Sequence, residues 1–438
     1  MDFPHDAVPQ RVLELCARLR DAGFRAWIVG GCVRDLLLGR AVGDWDVATS
    51  ARPKQVQKTF RRVIPTGIQH GTVTVMLGDE GFEVTTLRGD GDYSDGRRPD
   101  EVTFVDDIAD DLARRDFTVN AIAYEPTAKL IVDPHGGLAD LEARQMRAVG
   151  EPAQRFAEDG LRILRGARFV ATLGFELEPE TEAAFAGALD VYEKVSPERV
   201  REEWLKAMKA ERPSPAFEVM RRTGILGRTC PALGALADID DGAGDLFARS
   251  MRALDASKGP GHERVAAALH CVGRARGAEA GAHAKTSAEL VETWFADYRF
   301  SKIERREAGH AVRHHEALLA LDATDDAGLR AFVSRVGRDE LGLVSRLARA
   351  VAIASDGTAP EGLLAALERV ADSDVPLAIG DLAVGGREVI AALGGGGRIV
   401  GDVLEALLAR TLAEPSLNDA ETLQAMIPEI RASLEERA

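Results

Sequence analysis

The alternation of apolar and polar positions divides the chain into a mixed α/β part and a helical part. Residues 26–29 form a short apolar run that predicts a buried strand, and residues 71–77 alternate β-branched and other side chains in the manner of a second strand. Gly81 then turns the chain into residues 82–87, the predicted hairpin partner. After about Gly150 strand signals nearly vanish and amphipathic helices dominate. The change predicts a domain boundary at this glycine.

The predicted fold class is α+β, with a small mixed-sheet head followed by an all-α neck, body and tail. A chain of 438 residues exceeds what one hydrophobic core usually supports, so several domains are expected. Weaker breaks rich in Pro or Gly fall near residues 213–215, 258–261 and 357–360. The predicted domains are, in chain order, residues 1–150, 151–212, 213–357 and 358–438.

The composition is that of an ordinary globular protein, with 45% hydrophobic and 29% charged residues. No apolar run approaches the ~20 residues of a membrane span, and the first residues lack the basic and apolar regions of a signal peptide. The four cysteines show no CxxC spacing, which argues against a zinc site or a disulfide framework. We therefore expect a cytoplasmic protein. These cysteines are Cys16, Cys32, Cys230 and Cys271.

The net charge of −16 argues against nucleic-acid binding, which normally requires a basic surface. The excess is unevenly distributed, because residues 361–438 carry 14 acidic and 6 basic side chains. Residues 193–228 carry 9 basic and 6 acidic side chains. An interior basic surface can therefore bind RNA while the acidic end of the chain faces solvent.

A pair of glycines follows the apolar run at residues 26–29. Gly30 and Gly31 allow a tight turn and leave their N–H groups open to a ligand. The next residues predict a helix over 33–38, with Arg34 in its first turn. This order of strand, glycine turn and helix is suited to binding phosphate.

Two carboxylates follow the predicted helix. On an extended chain, Asp44 and Asp46 point the same way, about 7 Å apart, while Trp45 points towards the core. Two convergent carboxylates can hold Mg²⁺, a hard ion that takes oxygen ligands and shares them with phosphates. The segment therefore predicts a nucleotidyl-transfer site.

The whole order of strand, Gly-Gly, Arg-Asp, spacer and Asp-x-Asp resembles the signature of the polymerase-beta-like nucleotidyltransferases. The similarity is to the branch that contains bacterial CCA-adding enzymes and poly(A) polymerases, and it implies a catalytic head over residues 1–150 with Mg²⁺ bound by Asp44 and Asp46. Glu83 faces away from its apolar neighbours and is either an exposed strand residue or a third carboxylate of the site. The family pattern, which has a carboxylate before Thr-Thr-x-Arg, favours the second interpretation.

A second motif covers residues 114–121 and resembles the family's Arg-Arg-Asp-Phe-Thr-Val-Asn-Ala block at every position. Arg115 can bind phosphate as a planar fork. Asp116 and Asn120 offer acceptors and donors suited to ribose hydroxyls. The alternative, a surface ion pair and a helix cap, is disfavoured by the Asp-x-Asp segment that precedes it.

The segment 158–169 predicts a helix on which Asp159 and Arg162 are adjacent, one turn apart. Cytosine and adenine both present an amino group beside a ring-nitrogen acceptor, whereas uracil and guanine present the reverse order. A carboxylate only accepts and a guanidinium only donates, so this pair would select CTP and ATP. An ordinary surface ion pair is the alternative. The resemblance implies that Arg165 and Arg168 also face the nucleotide.

Three further segments bear on function. Residues 133–141 and 197–204 resemble the family's connection to the neck and its neck helix, and are expected to be scaffolding. The region of the six later histidines is similar to metal phosphohydrolases of the His-Asp type, but Cys271 follows His270 where the aspartate belongs. We expect a degenerate helical domain there, either structural or RNA-facing.

The resemblance implies template-independent addition of C, C and A to the 3′ end of tRNA, using CTP and ATP and releasing pyrophosphate. The polar segment at residues 89–99 matches the loop that enzymes adding only CC shorten, which favours addition of the final A. The acidic C-terminal region argues against a poly(A) polymerase. An A-adding specialist, then a poly(A) polymerase or a non-catalytic tRNA-binding protein, are the alternatives, and the sequence leaves the oligomeric state open.

Overall fold

The computed structural model describes residues 2–89, 103–240, 244–277, 279 and 282–436. Its compact units are Met1–Pro231 and Ala232–Ala438. The predicted loop at residues 89–99 lies outside the described residues, except for Gly89. The finer division into head, neck, body and tail stays a prediction.

A seven-stranded mixed sheet forms the centre of the first unit, with strand order β3-β4-β5-β2-β1-β6-β7. A separate parallel pair, β8 and β9, follows it. The strands are β1 (Ala26–Val29), β2 (Asp46–Thr49), β3 (Val63–Gly67), β4 (Thr72–Leu77), β5 (Glu80–Thr86), β6 (Ala123–Glu125), β7 (Leu130–Val132), β8 (Gln145–Met146) and β9 (Glu176–Leu177).

The pairing of these strands brings distant acidic residues together. β4 and β5 form the predicted antiparallel hairpin. β5 then runs parallel to β2, in a register that places Glu83 opposite Asp46. β1 pairs antiparallel with β2 on its other side, so the glycine turn that follows β1 lies at the same end of the sheet as the start of β2.

Helices pack against the sheet, and further helices follow it along the chain to the end of the first unit. A core of Trp27, Val29, Leu87, Leu112 and neighbouring apolar side chains fixes the helix that precedes the second motif against the sheet. The helices are α1 (Gln10–Asp21), α2 (Gly31–Leu37), α3 (Pro53–Thr59), α4 (Ile108–Ala113), α5 (Gly137–Ala143), α6 (Pro152–Glu158), α7 (Leu161–Leu173), α8 (Pro179–Gly187), α9 (Leu189–Tyr192), α10 (Pro197–Ala207), α11 (Ser214–Arg222) and α12 (Ile225–Thr229).

The described part of the second unit is helical and carries no strand, apart from one isolated bridge. The predicted class, a mixed-sheet head followed by an all-α region, is confirmed. No helix in the described ranges is long and apolar enough to cross a membrane. The helices are α13 (Pro231–Gly234), α14 (Leu246–Ala256), α15 (Gly261–Leu269), α16 (His283–Asp297), α17 (Lys302–Leu319), α18 (Asp326–Val336), α19 (Arg338–Asp356), α20 (Glu361–Ala371), α21 (Gly386–Leu393), α22 (Arg398–Ala413) and α23 (Ala420–Glu435).

Candidate functional site

A polar cavity of about 640 Å³ lies in the first unit, between the sheet and α7. We call it the cleft. Twelve of the thirteen site residues predicted from the sequence line it, although the chain places them up to 138 positions apart. They are Gly30, Gly31, Arg34, Asp46, Glu83, Arg115, Asp116, Asn120, Asp159, Arg162, Arg165 and Arg168.

The thirteenth predicted residue, Asp44, does not line the cleft. β2 begins at Asp46, so the regular strand does not extend back to Asp44, whose side chain is exposed. Trp45, which the sequence predicts to point towards the core, is partly buried. Burial, together with the charges of Glu83 and Asp44, raises the pKa of Asp46 to about 6. Glu83 and Asp44 are therefore close enough to Asp46 to repel its carboxylate.

The glycine turn and Arg115 fit against each other. Gly30 has a φ of +79°, which an L side chain rarely adopts, and a β-carbon there would lie 2.7 Å from Nη1 of Arg115. Arg115 also donates to the carbonyl of Asn120 and to Asp111, at 3.2 Å in each case, and its buried Nε has no hydrogen-bond partner. A cationic fork is thus held at the glycine turn, and Nη1 and Nη2 each keep a second N–H beyond these two hydrogen bonds.

Arg34, Asn120 and Asp116 form a hydrogen-bonded chain across the cleft. Arg34 donates through Nη1 to Oδ1 of Asn120 at 2.5 Å and binds Asp35 through Nε and Nη2, at 2.9 Å each. Asn120 in turn donates to Asp116 at 3.1 Å. These contacts fix the asparagine amide with its oxygen towards Arg34 and its nitrogen towards Asp116.

Asp116 also accepts a hydrogen bond from Nε of Arg165 at 2.7 Å and one from the backbone N–H of Phe117 at 2.9 Å. Burial alone would raise its pKa, but Arg165 and Asn120 hold the pKa of Asp116 well below its usual range. The carboxylate is therefore ionised at neutral pH. Phe117 locks this arrangement because its ring packs edge-on against Phe169 of α7.

The predicted helical pairing of Asp159 and Arg162 is wrong in its local geometry. α6 ends at Glu158, Asp159 adopts an extended conformation, and α7 begins at Leu161. The break coincides with Gly160, where a β-carbon would lie 2.3 Å from the backbone nitrogen of Tyr192. Two helices therefore meet at this pair, where the sequence predicts one continuous helix.

The two side chains still line the same cleft, but each is held by other groups. Asp159 accepts from Arg199 at 2.6 Å and from the backbone N–H of Leu161 at 3.0 Å. Arg162 donates to the carbonyl of Arg155 at 2.8 Å, to the carbonyl of Arg114 at 3.1 Å and to the carboxylate of Glu158. Both groups are pre-positioned, and neither depends on the other for its orientation.

Several cleft residues were not singled out by the sequence: Arg88, Asp111, Arg114, Leu161, Arg199 and Lys206. The predicted scaffolding helix at residues 197–204 is α10, which contributes Arg199 to the cleft and buries Trp204 on its other face. The basic excess at residues 193–228 was the sequence signal that could have identified Arg199 and Lys206. Within this segment Arg199, Glu203 and Lys206 follow one another at helical spacing, so they lie on one face of the helix.

Glu203 of α10 is buried and organises two of the predicted cleft arginines. It accepts from Nε of Arg168 at 2.5 Å and lies 3.7 Å from Nη1 of Arg165. Lys206 donates to it at 2.9 Å. Burial opposes ionisation, yet these three cations hold the pKa of Glu203 below its usual range.

The connection at residues 133–141 makes the contacts expected of scaffolding. Asp133 accepts from the backbone N–H groups of Gly137 and Leu138 at 2.7 and 2.9 Å, which caps α5. Asp140 accepts from Thr118 at 2.6 Å. This hydrogen bond joins the second motif to α5 at Thr118, which is two residues beyond Asp116.

The donor set of the cleft fits a divalent cation held by few protein ligands. Asp46 and Glu83 supply carboxylate oxygens from adjacent strands. Glu83 and Asp44 are both exposed, but only Glu83 lines the cleft. Among the described residues no three His, Cys, Asp or Glu side chains are arranged as a metal-binding group. Mg²⁺ commonly uses one or two carboxylates and completes its shell with water and substrate phosphates, so two cleft carboxylates are compatible with it.

Family models match two segments of the chain. Residues 26–147 match the poly(A) polymerase head domain, and residues 174–236 match a probable RNA and SrmB-binding site of polymerase A. The CCA-adding enzyme of Lactobacillus delbrueckii subsp. bulgaricus is 46% identical over 228 residues, which cover 52% of this chain and 57% of that protein. The Lactobacillus johnsonii enzyme is 46% identical over 213 residues and 53% of its length. The chain thus matches little more than half of each curated relative.

Solved structures extend the similarity to the rest of the chain. The Bacillus stearothermophilus CCA-adding enzyme, crystallised with CTP, is 30% identical with a TM-score of 0.75, and the match covers 98% of this chain and 99% of that one. The Thermotoga maritima CCA-adding enzyme bound to tRNA is 20% identical with a TM-score of 0.62, and shares the fold. Together, the head-domain match and the full-length structural relative show that the chain belongs to the CCA-adding enzyme and poly(A) polymerase family of nucleotidyltransferases.

Proposed function

We propose that this protein adds C, C and A to the 3′ end of tRNA, taking the nucleotides from CTP and ATP and releasing pyrophosphate. The observation that carries the proposal is the cleft, which combines adjacent carboxylates, a cationic fork at a glycine turn and a carboxylate–guanidinium pair in one cavity. The names of the relatives support the same reaction. A cavity of about 640 Å³ is of a suitable size for one nucleotide.

In this proposal the triphosphate binds at the glycine turn. Arg115 donates to the phosphates through the terminal nitrogens of its guanidinium, and the backbone N–H of Gly31 adds a further donor, since that of Gly30 already bonds the carbonyl of Ile122. Asp116 and Asn120 bind the ribose hydroxyls, and Arg165 holds Asp116 ionised for that purpose. Arg34 supports this step indirectly, because its Nη1 fixes the orientation of the asparagine amide.

The family as a whole depends on a divalent metal ion. We propose Mg²⁺, held by Asp46 and Glu83 with Asp44 beside them. When bound, such an ion neutralises phosphate charge and favours the ionised form of the attacking hydroxyl. The carboxylates themselves keep the cleft negative at the position where this cation belongs, and Arg115 balances their charge from the side of the glycine turn.

Asp159 and Arg162 select the base. Asp159 accepts from the amino group that cytosine and adenine share, and repels the carbonyl of uracil and guanine. The remaining donors of Arg162 face the ring nitrogen. Because Arg162 is tied to two backbone carbonyls, its position does not change with the base that enters. Arg168 completes this side of the cleft from α7.

The reaction would take place in the cytoplasm, where tRNA is processed in bacteria. All four cysteines are free and buried, in agreement with a reducing compartment.

The decisive experiment is to determine the products at single-nucleotide resolution. The full-length protein is incubated with a tRNA that ends at the discriminator base or with one that ends in CC, with CTP and ATP supplied singly and together. We expect two additions from CTP alone, one from ATP on the CC substrate, and three when both are present. Addition of A without C identifies an A-adding specialist, and a long A tail identifies a poly(A) polymerase.

A further inference from the structure

The second unit contains a cavity of about 650 Å³ that the proposed reaction does not use. We call it the histidine cavity. Three of its histidines are buried: His270 and His315 are 3% and 1% exposed, and His283 is 8% exposed. They come from three elements, since His270 follows α15, His283 begins α16, and His315 lies in α17. The cavity belongs to the second unit alone.

The histidine cavity carries positive charge in an acidic surrounding. Residues 232–438 contain 33 acidic and 23 basic side chains. The lining of the cavity has the opposite sign of charge, since it contains four cationic side chains and one carboxylate, Glu316. The cations are Arg249, Arg274, Lys285 and Arg313.

Two of these cations have no partner among the described residues to neutralise them. The side chains of Arg274 and Lys285 make no hydrogen bond or ion pair with any residue that the structure describes. Arg313, by comparison, lies 3.3 Å from Glu292. The single carboxylate is also engaged, because Glu316 binds His283 at 2.9 Å and accepts from the backbone N–H of Ala284. Positive charge therefore remains available to a ligand.

His315 adds a hydrogen-bond acceptor to this cationic wall. The Nδ1 of His315 donates to the carbonyl of Val312 at 2.7 Å, which leaves Nε2 as the acceptor of a neutral ring. Burial and the neighbouring His270 lower the pKa of His315 to about 3, so the ring is neutral at pH 7. A ligand that fits the cavity therefore has an anionic group that binds the cationic side chains. It also has a hydroxyl group that donates to the imidazole of His315.

From this arrangement we infer that the histidine cavity binds a small phosphate monoester that carries hydroxyl groups, such as a sugar phosphate or a mononucleotide. Arg274 and Lys285 bind the phosphate, and His315 accepts from a hydroxyl. The volume is within the range of ligand pockets, roughly 300–1,000 Å³. The inference is independent of the proposed function, because the cavity and the cleft share no residue.

Calorimetric titration of the full-length protein with ribose 5-phosphate tests the inference. The variant pair R274Q and K285Q is compared with R276Q and K302Q. Arg276 lies two positions from Arg274 but is exposed and does not line the cavity, and Lys302 is a corresponding exposed lysine at the start of α17. We expect R274Q and K285Q to weaken binding at least tenfold each, with the controls unchanged and with nucleotide addition to tRNA unaffected in all four.

Two further measurements locate the ligand and identify its recognised groups. Inorganic phosphate should compete with ribose 5-phosphate, and ribose alone should not bind. R115A, which alters the cleft, should leave the titration unchanged. Binding that R115A removes, or that R274Q and R276Q weaken equally, would overturn the inference, as would no measurable binding at millimolar ribose 5-phosphate. Circular dichroism of each variant establishes that the fold is retained.

Discussion

The guanidinium of Arg115 lies against the α-carbon of Gly30, so closely that a β-carbon at this position would come within 2.7 Å of Nη1. The glycine turn therefore does two things: it adopts a backbone conformation with positive φ, and it leaves the space in which a phosphate-binding side chain is held. A substitution can separate these two effects, because α2, which follows Gly30, is itself followed by a second glycine with positive φ, Gly39.

The first prediction compares Gly30→Ala with Gly39→Ala. Both residues have positive φ, of +79° and +66°, but Gly39 has no atom within 4 Å of its added β-carbon. Each variant should lose about 1–3 kcal/mol of stability from backbone strain, with the larger loss at Gly30, whose ψ of −135° lies outside the left-handed helical region. Only Gly30→Ala should displace Arg115 and reduce addition of both C and A by at least tenfold. Equal activity of the two variants would show that Arg115 does not bind the triphosphate.

The second prediction concerns the carboxylates. Asp46→Asn and Asp44→Asn should each abolish addition of both C and A, because each removes a negative charge from the proposed cation site. The melting temperature of Asp46→Asn should stay the same or rise, since burial and the charges of Glu83 and Asp44 disfavour the ionised form of Asp46. Asp79→Asn, on an exposed turn between β4 and β5, is the matched control.

Near-normal turnover of Asp46→Asn would remove the basis of the metal assignment. Near-normal turnover of Asp44→Asn alone would restrict the protein ligands to Asp46 and Glu83, in line with the exposed position of Asp44 outside the cleft.

A third prediction is the pH dependence of Asp116→Asn. Arg165 and Asn120 depress the pKa of Asp116, so its stabilising effect is complete above the ordinary carboxyl pKa of about 3.9. The effect is lost as the pH falls towards the depressed value in the folded state. The variant should be less stable by about 1.5–3 kcal/mol at neutral pH, the range for a hydrogen bond to a charged group.

Denaturant unfolding of Asp116→Asn and the unmodified protein, at pH values from 7 to 3, measures the difference. The gap should be constant between pH 7 and 5 and should narrow below about 4, as the unfolded carboxyl takes up its proton. A gap that widens with falling pH would contradict the assigned direction of the pKa. The contributions of the other titrating groups to the free energy of unfolding are common to both proteins and cancel in the difference.

The parts of the fold that depend on local pattern could be predicted from the sequence. The hairpin of β4 and β5 follows from alternation on both sides of Gly81, and the turn at Gly30 follows from an apolar run that ends in two glycines. Asp46 and Glu83 were expected at one site through the family resemblance. Their adjacency itself depends on a parallel pairing of β2 with β5 that no local pattern reveals.

The parts that were missed depend on contacts between distant segments. The sequence predicts one helix over residues 158–169, so the break at Asp159 was not predicted. The break coincides with the close approach of Gly160 to Tyr192, more than thirty positions away. Arg199 likewise reaches the cleft only because α10 packs against α7, and its ion pair with Asp159 replaces the predicted partner.

This rearranged pairing sharpens the last prediction, which concerns base selection. Asp159 is held by Arg199 and by the N–H of Leu161, so its carboxylate is fixed in the cleft before a nucleotide binds. Asp159→Ala removes the acceptor for the amino group of cytosine and adenine. It also removes the repulsion felt by the carbonyl of uracil and guanine. Use of CTP and ATP should slow, and use of UTP or GTP should become detectable.

The size of the change follows from the cost of an unpaired polar group, about 1–3 kcal/mol, which corresponds to roughly five- to two-hundred-fold in rate. Arg162→Ala should slow CTP and ATP to a similar extent, and Arg162→Lys should not restore them, because an ammonium cannot reach both carbonyls that the planar fork now binds. Asp190→Ala, at a side chain 91% exposed, is the control. The measurement is kcat/KM for all four nucleoside triphosphates with each variant. Unchanged selectivity for C and A in Asp159→Ala would assign this residue to its ion pair with Arg199 and place base selection elsewhere.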